Sequence, residues 1–178
     1  VLRDLIYAVW AVFWIGWLLA AIGSKPGVAS RSGRLARGAL AVTAVALIRI
    51  FHTNGLAVHA VPLRVLGTVL FAGGIGLAVW ARLFLGRNWG TPMSLKQEPE
   101  LVTSGLYRWV RHPIYSGILL ATLGTGLATN TYWLIVFAVM GAYFVYSATV
   151  EDRLMATAFP ETYTAYHEHT RMLIPFVL

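Results

Sequence analysis

His112-Pro113-Ile114-Tyr115-Ser116-Gly117-Ile118-Leu119-Leu120-Ala121-Thr122-Leu123-Gly124-Thr125-Gly126-Leu127-Ala128-Thr129-Asn130-Thr131-Tyr132-Trp133 opens a run that continues to Val150 without a single Asp, Glu, Lys or Arg. A bilayer-spanning helix needs about 20 mostly apolar residues, so these 39 residues are long enough for two. Gly124-Thr125-Gly126 and Thr129-Asn130-Thr131 near the middle supply turn chemistry. The stretch reads as a tight hairpin of helices over about 113–127 and 131–158. Pro113 fits the first turn of its first arm, where a missing N–H costs nothing.

The rest of the chain extends this pattern. Leu5 to Ser24 carries no charge, Arg64 and Arg82 bracket another charge-free run, and Gly38 to Phe51 is apolar except for Arg49. The last of these extends toward Pro62, which marks a helix end. The expectation is five helices, about 4–23, 38–59, 63–85, 113–127 and 131–158. Run length and the lack of alternation disfavour strands in these runs. In lipid a helix also satisfies its own backbone. The first apolar run is too long for a secretory leader and lacks a small-residue cleavage site, so it reads as a span.

Composition agrees. Of 178 residues, 58% are hydrophobic and 12% charged, with mean hydropathy +0.68. Soluble domains carry roughly 25% charged residues, so a soluble globule and a disordered chain are both poor readings. Absence of cysteine excludes disulfides and thiolate metal sites. The chain is therefore expected to be a single all-α integral membrane domain over residues 1–178. It has about five transmembrane helices and a C-terminal amphipathic helix on the cytoplasmic side.

The net charge of +7 is an orientation signal. Eleven of the 14 Lys and Arg fall in the first loop, the loop 82–111 and the tail, whereas Arg3 and Arg64 mark the opposite side. By the positive-inside rule the N-terminus faces outward and the C-terminus the cytoplasm. No basic module interleaved with aromatics appears, so nucleic acid is not an expected partner.

A hairpin brings the entry of its first arm beside the exit of its second. His112, Pro113 and Tyr115 should therefore lie near Ser147, Glu151 and Asp152, with Glu151 projecting past His112 and the loop 86–111 folding over both. Pro160 opens a short helix on which Tyr163 and Tyr166 share a face, expected to be mainly packing residues. Read alone, Asp152 is the solvated end of a helix. Arg82 and Arg87 read as boundary residues. Gly74-Ile75-Gly76 has no strand before it and reads as close helix packing rather than a nucleotide loop. Trp10, Trp14 and Trp17 pack or face lipid. His167 and His169 lie on different helix faces, and no metal is expected. Arg49, charged within a span, either snorkels or serves function.

Leu101-Val102-Thr103-Ser104-Gly105-Leu106-Tyr107, then Arg111-His112-Pro113-Ile114-Tyr115 and Gly117, resembles the isoprenylcysteine carboxyl methyltransferase family, to which the phospholipid N-methyltransferases are related. Gly86-Arg87-Asn88-Trp89, Glu151-Asp152 with Leu154, Phe159, Tyr163, Tyr166 and Ile174-Pro175 extend the likeness over roughly residues 80–178, while residues 1–62 carry no such signature. The resemblance implies a membrane methyltransferase that holds S-adenosylmethionine at the cytoplasmic ends of its last helices. It further implies a lipophilic or prenylated acceptor that enters from the membrane lipids. Carried over by motif, Leu101, Val102, Tyr107, His112, Pro113, Ile114, Tyr115 and Glu151 would line the cofactor site. Glu151, His112 and Arg111 would be the reacting set: Glu151 on a polar part of the cofactor, Arg111 on its carboxylate, and His112 as base for a protonated acceptor. Tyr107 and Tyr115 offer π-faces to a sulfonium. Arg49 and Ser147 are candidates on the substrate side. Two departures stand out: Asp152 where a second glutamate is usual, and Ser147 where the carboxyl methyltransferases commonly carry arginine. The alternatives are an NADPH-dependent membrane reductase of the sterol-reductase type and a non-enzymatic membrane scaffold.

Overall fold

The computed structural model describes residues 1–22, 27–29, 56–90, 92–96 and 99–174. Its long elements are α1 (Leu2–Ile22), α2 (Val61–Leu85), α3 (Pro113–Ala128) and α4 (Trp133–Ala158), followed by the short α5 (Tyr163–His169). One small ribbon joins this helical fold: β1 (Gly27–Ala29) pairs antiparallel with β2 (Ser94–Lys96). The helix expected over 38–59, and Arg49 with it, lies outside the described residues apart from its last few positions. There Leu56 to Ala60 runs as a short irregular lead into α2.

Among the described residues, three helices are long and apolar enough to cross a membrane: Leu2–Ala20, Val61–Asn88 and Trp133–Ala158. The first arm of the hairpin is shorter. Its 16 residues reach about 24 Å at 1.5 Å per residue, less than the roughly 30 Å hydrocarbon core. Leu5, Val12, Ile15, Leu18 and Leu19 of α1 and Val65, Leu66, Val69 and Leu83 of α2 are exposed. A continuous apolar exterior of this kind suits lipid as solvent.

Small residues hold the bundle together. α2 and α3 run antiparallel with glycines seven apart on each, so Gly67 meets Gly124 and Gly74 meets Gly117. A Cβ on Gly74 would stand 2.3 Å from the Ala121 backbone nitrogen, and one on Gly124 would stand 2.3 Å from that of Phe71. The helices thus touch backbone to backbone. Without a hydrophobic drive between helices in lipid, such close approach is a main source of association. Gly76, the other half of the quoted pair, faces open space.

Trp10 anchors α1 by donating its indole N–H to the Thr125 hydroxyl at 3.0 Å, both groups being buried. The hairpin turn comes where the glycine and Thr-Asn-Thr pattern puts it. Asn130 Oδ1 accepts from the Tyr132 N–H at 3.0 Å. The strand-like lead into α2 closes on the turn through Val58 N–H to Thr129 and Thr131 N–H to Leu56.

These contacts put residues 1–7, 56–61 and 128–133 at one end of the molecule. The C-terminal end of α1, the 85–111 segment, the exit of α4 and the tail lie at the other. Arg82, Arg87, Arg108, Arg111, Arg153 and Arg171 cluster at this second end, and Arg3 and Arg64 lie at the first, as the charge pattern anticipates.

Candidate functional site

A cavity of about 170 Å³ opens at the basic end, between the exit of α2, the entry of α3, the exit of α4, and α5. It is far larger than the 10–15 Å³ that holds one water. Leu101, Val102, Tyr107, Arg111, His112, Ile114, Tyr115 and Glu151 all line it. The remaining candidates stand elsewhere. Pro113 turns to an apolar groove on the other side of the 106–114 segment, and Ser147 lies fully buried beneath the cavity.

Glu151 is the best-held group. Its Oε1 accepts from the Met93 backbone N–H at 2.8 Å, the Tyr115 hydroxyl at 2.5 Å and the Ser147 hydroxyl at 3.0 Å. Oε2 faces His112 Nδ1 at 3.4 Å. Ser147 sits one helical turn before Glu151 and donates to that carboxylate. Met93 is a residue the sequence did not flag. It is fully buried and takes φ 57°, rare for a side-chain-bearing residue. That conformation aims its N–H at Glu151, so part of the 86–111 loop does fold over the carboxylate.

Asp152 is not solvated. It is 9% exposed and gathers donors from two segments, the head of α3 and the tail. Arg111 Nη2 lies 3.1 Å away, His112 Nε2 3.0 Å, and the Tyr163 hydroxyl 2.5 Å. The hairpin reading missed this because it contained only the two arms; the returning tail supplies the cover. Arg111 also differs from expectation. Beyond Asp152 it donates to the Thr170 and His167 carbonyls at 2.7 and 3.2 Å, so its guanidinium pins the tail to the head of α3. Backbone pairing of Arg111 and His112 with Arg171 and Met172 completes that fastening.

His112 has both ring nitrogens against carboxylates. Burial opposes its charged form, but hydrogen bonds to Asp152 and Glu151 and their negative charge prevail, lifting the imidazole to about 9. Both of its ring nitrogens are thus engaged by carboxylates. The raised value stabilises the fold fully below about 6.5, and this contribution is lost as pH rises to about 9. Thermal unfolding in detergent should therefore show a Tm that falls across that window. His112→Asn should flatten the dependence, and an unchanged slope in the variant would place the titration elsewhere.

The walls are aromatic. Tyr115 lies between His112 (5.5 Å, 6° between planes) and Phe144 (4.3 Å, 8°). Tyr107 donates to the Ala81 carbonyl, and Tyr166 donates to that of Tyr107. Burial pushes the phenols of Tyr107 and Tyr166 well above their ordinary range. Burial together with the Asp152 hydrogen bond does the same for Tyr163, so all three remain protonated donors. Gly105 sets Tyr107 in place: its φ of 60° turns the chain, and any Cβ would strike the Phe84 ring. Trp89 lies under the Arg82 guanidinium at 4.6 Å and edge-on to Trp17. Tyr163 and Tyr166 thus line the cavity besides packing it. Among the described residues no cluster of His, Asp and Glu is arranged to hold a metal ion.

An apolar helix bundle with an acid-and-aromatic cavity at its basic end defines a helical membrane protein with a polar-walled cavity at one end of its helices. The chain belongs to the phospholipid methyltransferase family, whose model matches residues 63–162. It is 38% identical over 106 residues to the cobalt-zinc-cadmium resistance protein CzcN of Cupriavidus metallidurans, covering 57% of this chain and 46% of that protein. It is 31% identical to protein-S-isoprenylcysteine O-methyltransferase B of Arabidopsis thaliana, covering 62% and 57% of the two chains. To a methanethiol S-methyltransferase of a Pseudomonas species it is 30% identical, covering 46% and 31%. The chain thus spans from about a third to somewhat over half the length of these relatives.

Proposed function

We propose that this chain is an S-adenosylmethionine-dependent methyltransferase whose cavity faces the cytoplasm and receives a lipophilic acceptor from the bilayer. The observation that carries this reading is Glu151, oriented by three donors at the wall of an aromatic cavity. The residues fit the cofactor. Tyr107 and Tyr115 present faces suited to a sulfonium, and Glu151 Oε2 can accept from an ammonium or a ribose hydroxyl. When bound, the cofactor supplies an electrophilic methyl on a good leaving group.

The protein's part is then alignment, and proximity is the main source of rate. His112 stays charged and holds Glu151 and Asp152 in register. Tyr163 and Tyr166 close the side toward the tail. Among the described residues lining the cavity, the cations Arg111 and His112 are both engaged with carboxylates. The site therefore suits an acceptor that needs no counter-cation, such as a thiol or a neutral amine. The methanethiol S-methyltransferases among the relatives support this direction.

Calorimetric titration of the purified protein in detergent should show binding of S-adenosylhomocysteine and none of NADPH. The reverse pattern would favour a reductase, and binding of neither would favour a scaffold. Incubation with radiolabelled methyl donor and a fractionated lipid extract should then label one lipophilic product.

A further inference from the structure

The apolar groove on the other side of the 106–114 segment holds about 360 Å³. Leu77, Leu106, Val110, Pro113 and Leu173 line it, and the half-exposed Trp109 joins them. Ser116, also in the lining, donates its hydroxyl to the Leu173 carbonyl. Walls of this kind select an apolar occupant. Leu77 lies eight residues before the end of α2, about 12 Å at 1.5 Å per residue. The groove therefore runs from the depth of the lipid tails to the basic end of the helices.

Charge stands at that end. Arg108 Cζ is 4.8 Å from the centre of the Trp109 ring, so the ring that borders the groove also holds a guanidinium. Arg171 is tied to the same residue through the backbone, its N–H donating to the Trp109 carbonyl at 3.1 Å. Both arginines are exposed, and among the described residues neither enters an ion pair. Arg111 differs, because its charge is spent on Asp152. Tryptophan favours the membrane–water boundary, and basic residues placed there attract anionic lipid.

We propose that this groove binds an anionic phospholipid, with one acyl chain along Leu77, Pro113 and Leu173 and the phosphate against Arg108 and Arg171. The fit is complementary at both ends, apolar wall to acyl chain and guanidinium to phosphate. A choline headgroup would bring its own cation against the arginines. The groove and the cavity at Glu151 share no lining residue, so the proposal does not depend on the methyl donor.

The test is native mass spectrometry of the delipidated full chain in detergent. The probes are dioleoyl phosphatidylglycerol, dioleoyl phosphatidylcholine and glycerophosphoglycerol, the headgroup without chains. The parent should bind phosphatidylglycerol more than roughly tenfold tighter than phosphatidylcholine. Arg108→Gln and Arg171→Gln should each remove about fivefold of that preference, and the double variant should erase it. Leu77→Trp fills the groove from its half-exposed floor and should weaken both lipids alike, with Tm within a few degrees of the parent. Equal affinity of the parent for the two lipids, a preference that survives in the double variant, or unchanged lipid binding by Leu77→Trp overturns the assignment. Displacement of the lipid by an equal concentration of glycerophosphoglycerol also overturns it, since the site would then read phosphate alone.

Discussion

Glu151→Gln is expected to weaken S-adenosylhomocysteine binding by about two orders of magnitude and to abolish methyl transfer. The carboxylate takes three donors on Oε1 and faces a cationic imidazole with Oε2. A glutamine has one oxygen for all of them and turns an N–H pair toward either the three donors or His112. Removing one member of a buried, hydrogen-bonded charge cluster costs about 3–5 kcal/mol, and each 1.4 kcal/mol is tenfold in an equilibrium constant. Part of that loss will fall on stability rather than binding, so Tm and titration are to be measured on the same preparation. Ser147→Ala removes only one of the three donors and should cost a few-fold. If Glu151→Gln bound the cofactor product within threefold of the parent, the carboxylate would have no part in the site.

The second large effect is structural. Gly117→Val should leave little folded protein, and Gly117→Ala should lower Tm by many degrees. The added Cβ would lie 2.6 Å from the Ala78 nitrogen and 2.7 Å from the Gly74 carbonyl oxygen. Both are helix backbone and can yield only if α2 and α3 separate. Overpacking of ordinary cores costs about 1–3 kcal/mol, and a backbone obstacle belongs at the top of that range. Because Gly117 is one turn from the head of α3, separation also displaces His112 and Tyr115, so residual protein should bind cofactor poorly. Gly76→Ala is the control. Its Cβ meets nothing within 4 Å, and alanine is the better helix former by roughly 0.5–1 kcal/mol, so Tm should hold or rise. Equal effects at Gly76 and Gly117 in a fluorescence-detected thermal scan would contradict the glycine seam.

Much of the bundle was legible in the chain because its determinants are local. The charge-free run from His112 sets two helices, and the Thr-Asn-Thr turn and Pro113 fix their ends within one or two residues. The first helix and the one before Arg82 follow from apolar length in the same way. The cavity wall was legible through motif order, since Leu101, Val102, Tyr107, His112, Ile114 and Tyr115 do converge on it, while Pro113 turns away. Asn88 and Trp89 stood inside a quoted motif, yet nothing local distinguished them from boundary residues. Met93 gave no signal at all, because its part is played by a backbone N–H that any residue possesses.

Sequence by itself determined that this is a helical membrane protein, which of its ends is basic, and that His112 and Glu151 meet. Each depends on counting residues between charges or along one hairpin. Only the tertiary structure decided what Arg111, Asp152 and Ser147 do. Whether Asp152 is a solvated helix end or the hub of a buried charge cluster depends on the tail, whose Thr170 meets Arg111 and whose Tyr163 meets Asp152 only after the fold closes. Desolvation by that closure turns a row of surface-type charges into a fixed polar framework. It is a property of what covers a residue, and no residue carries it alone.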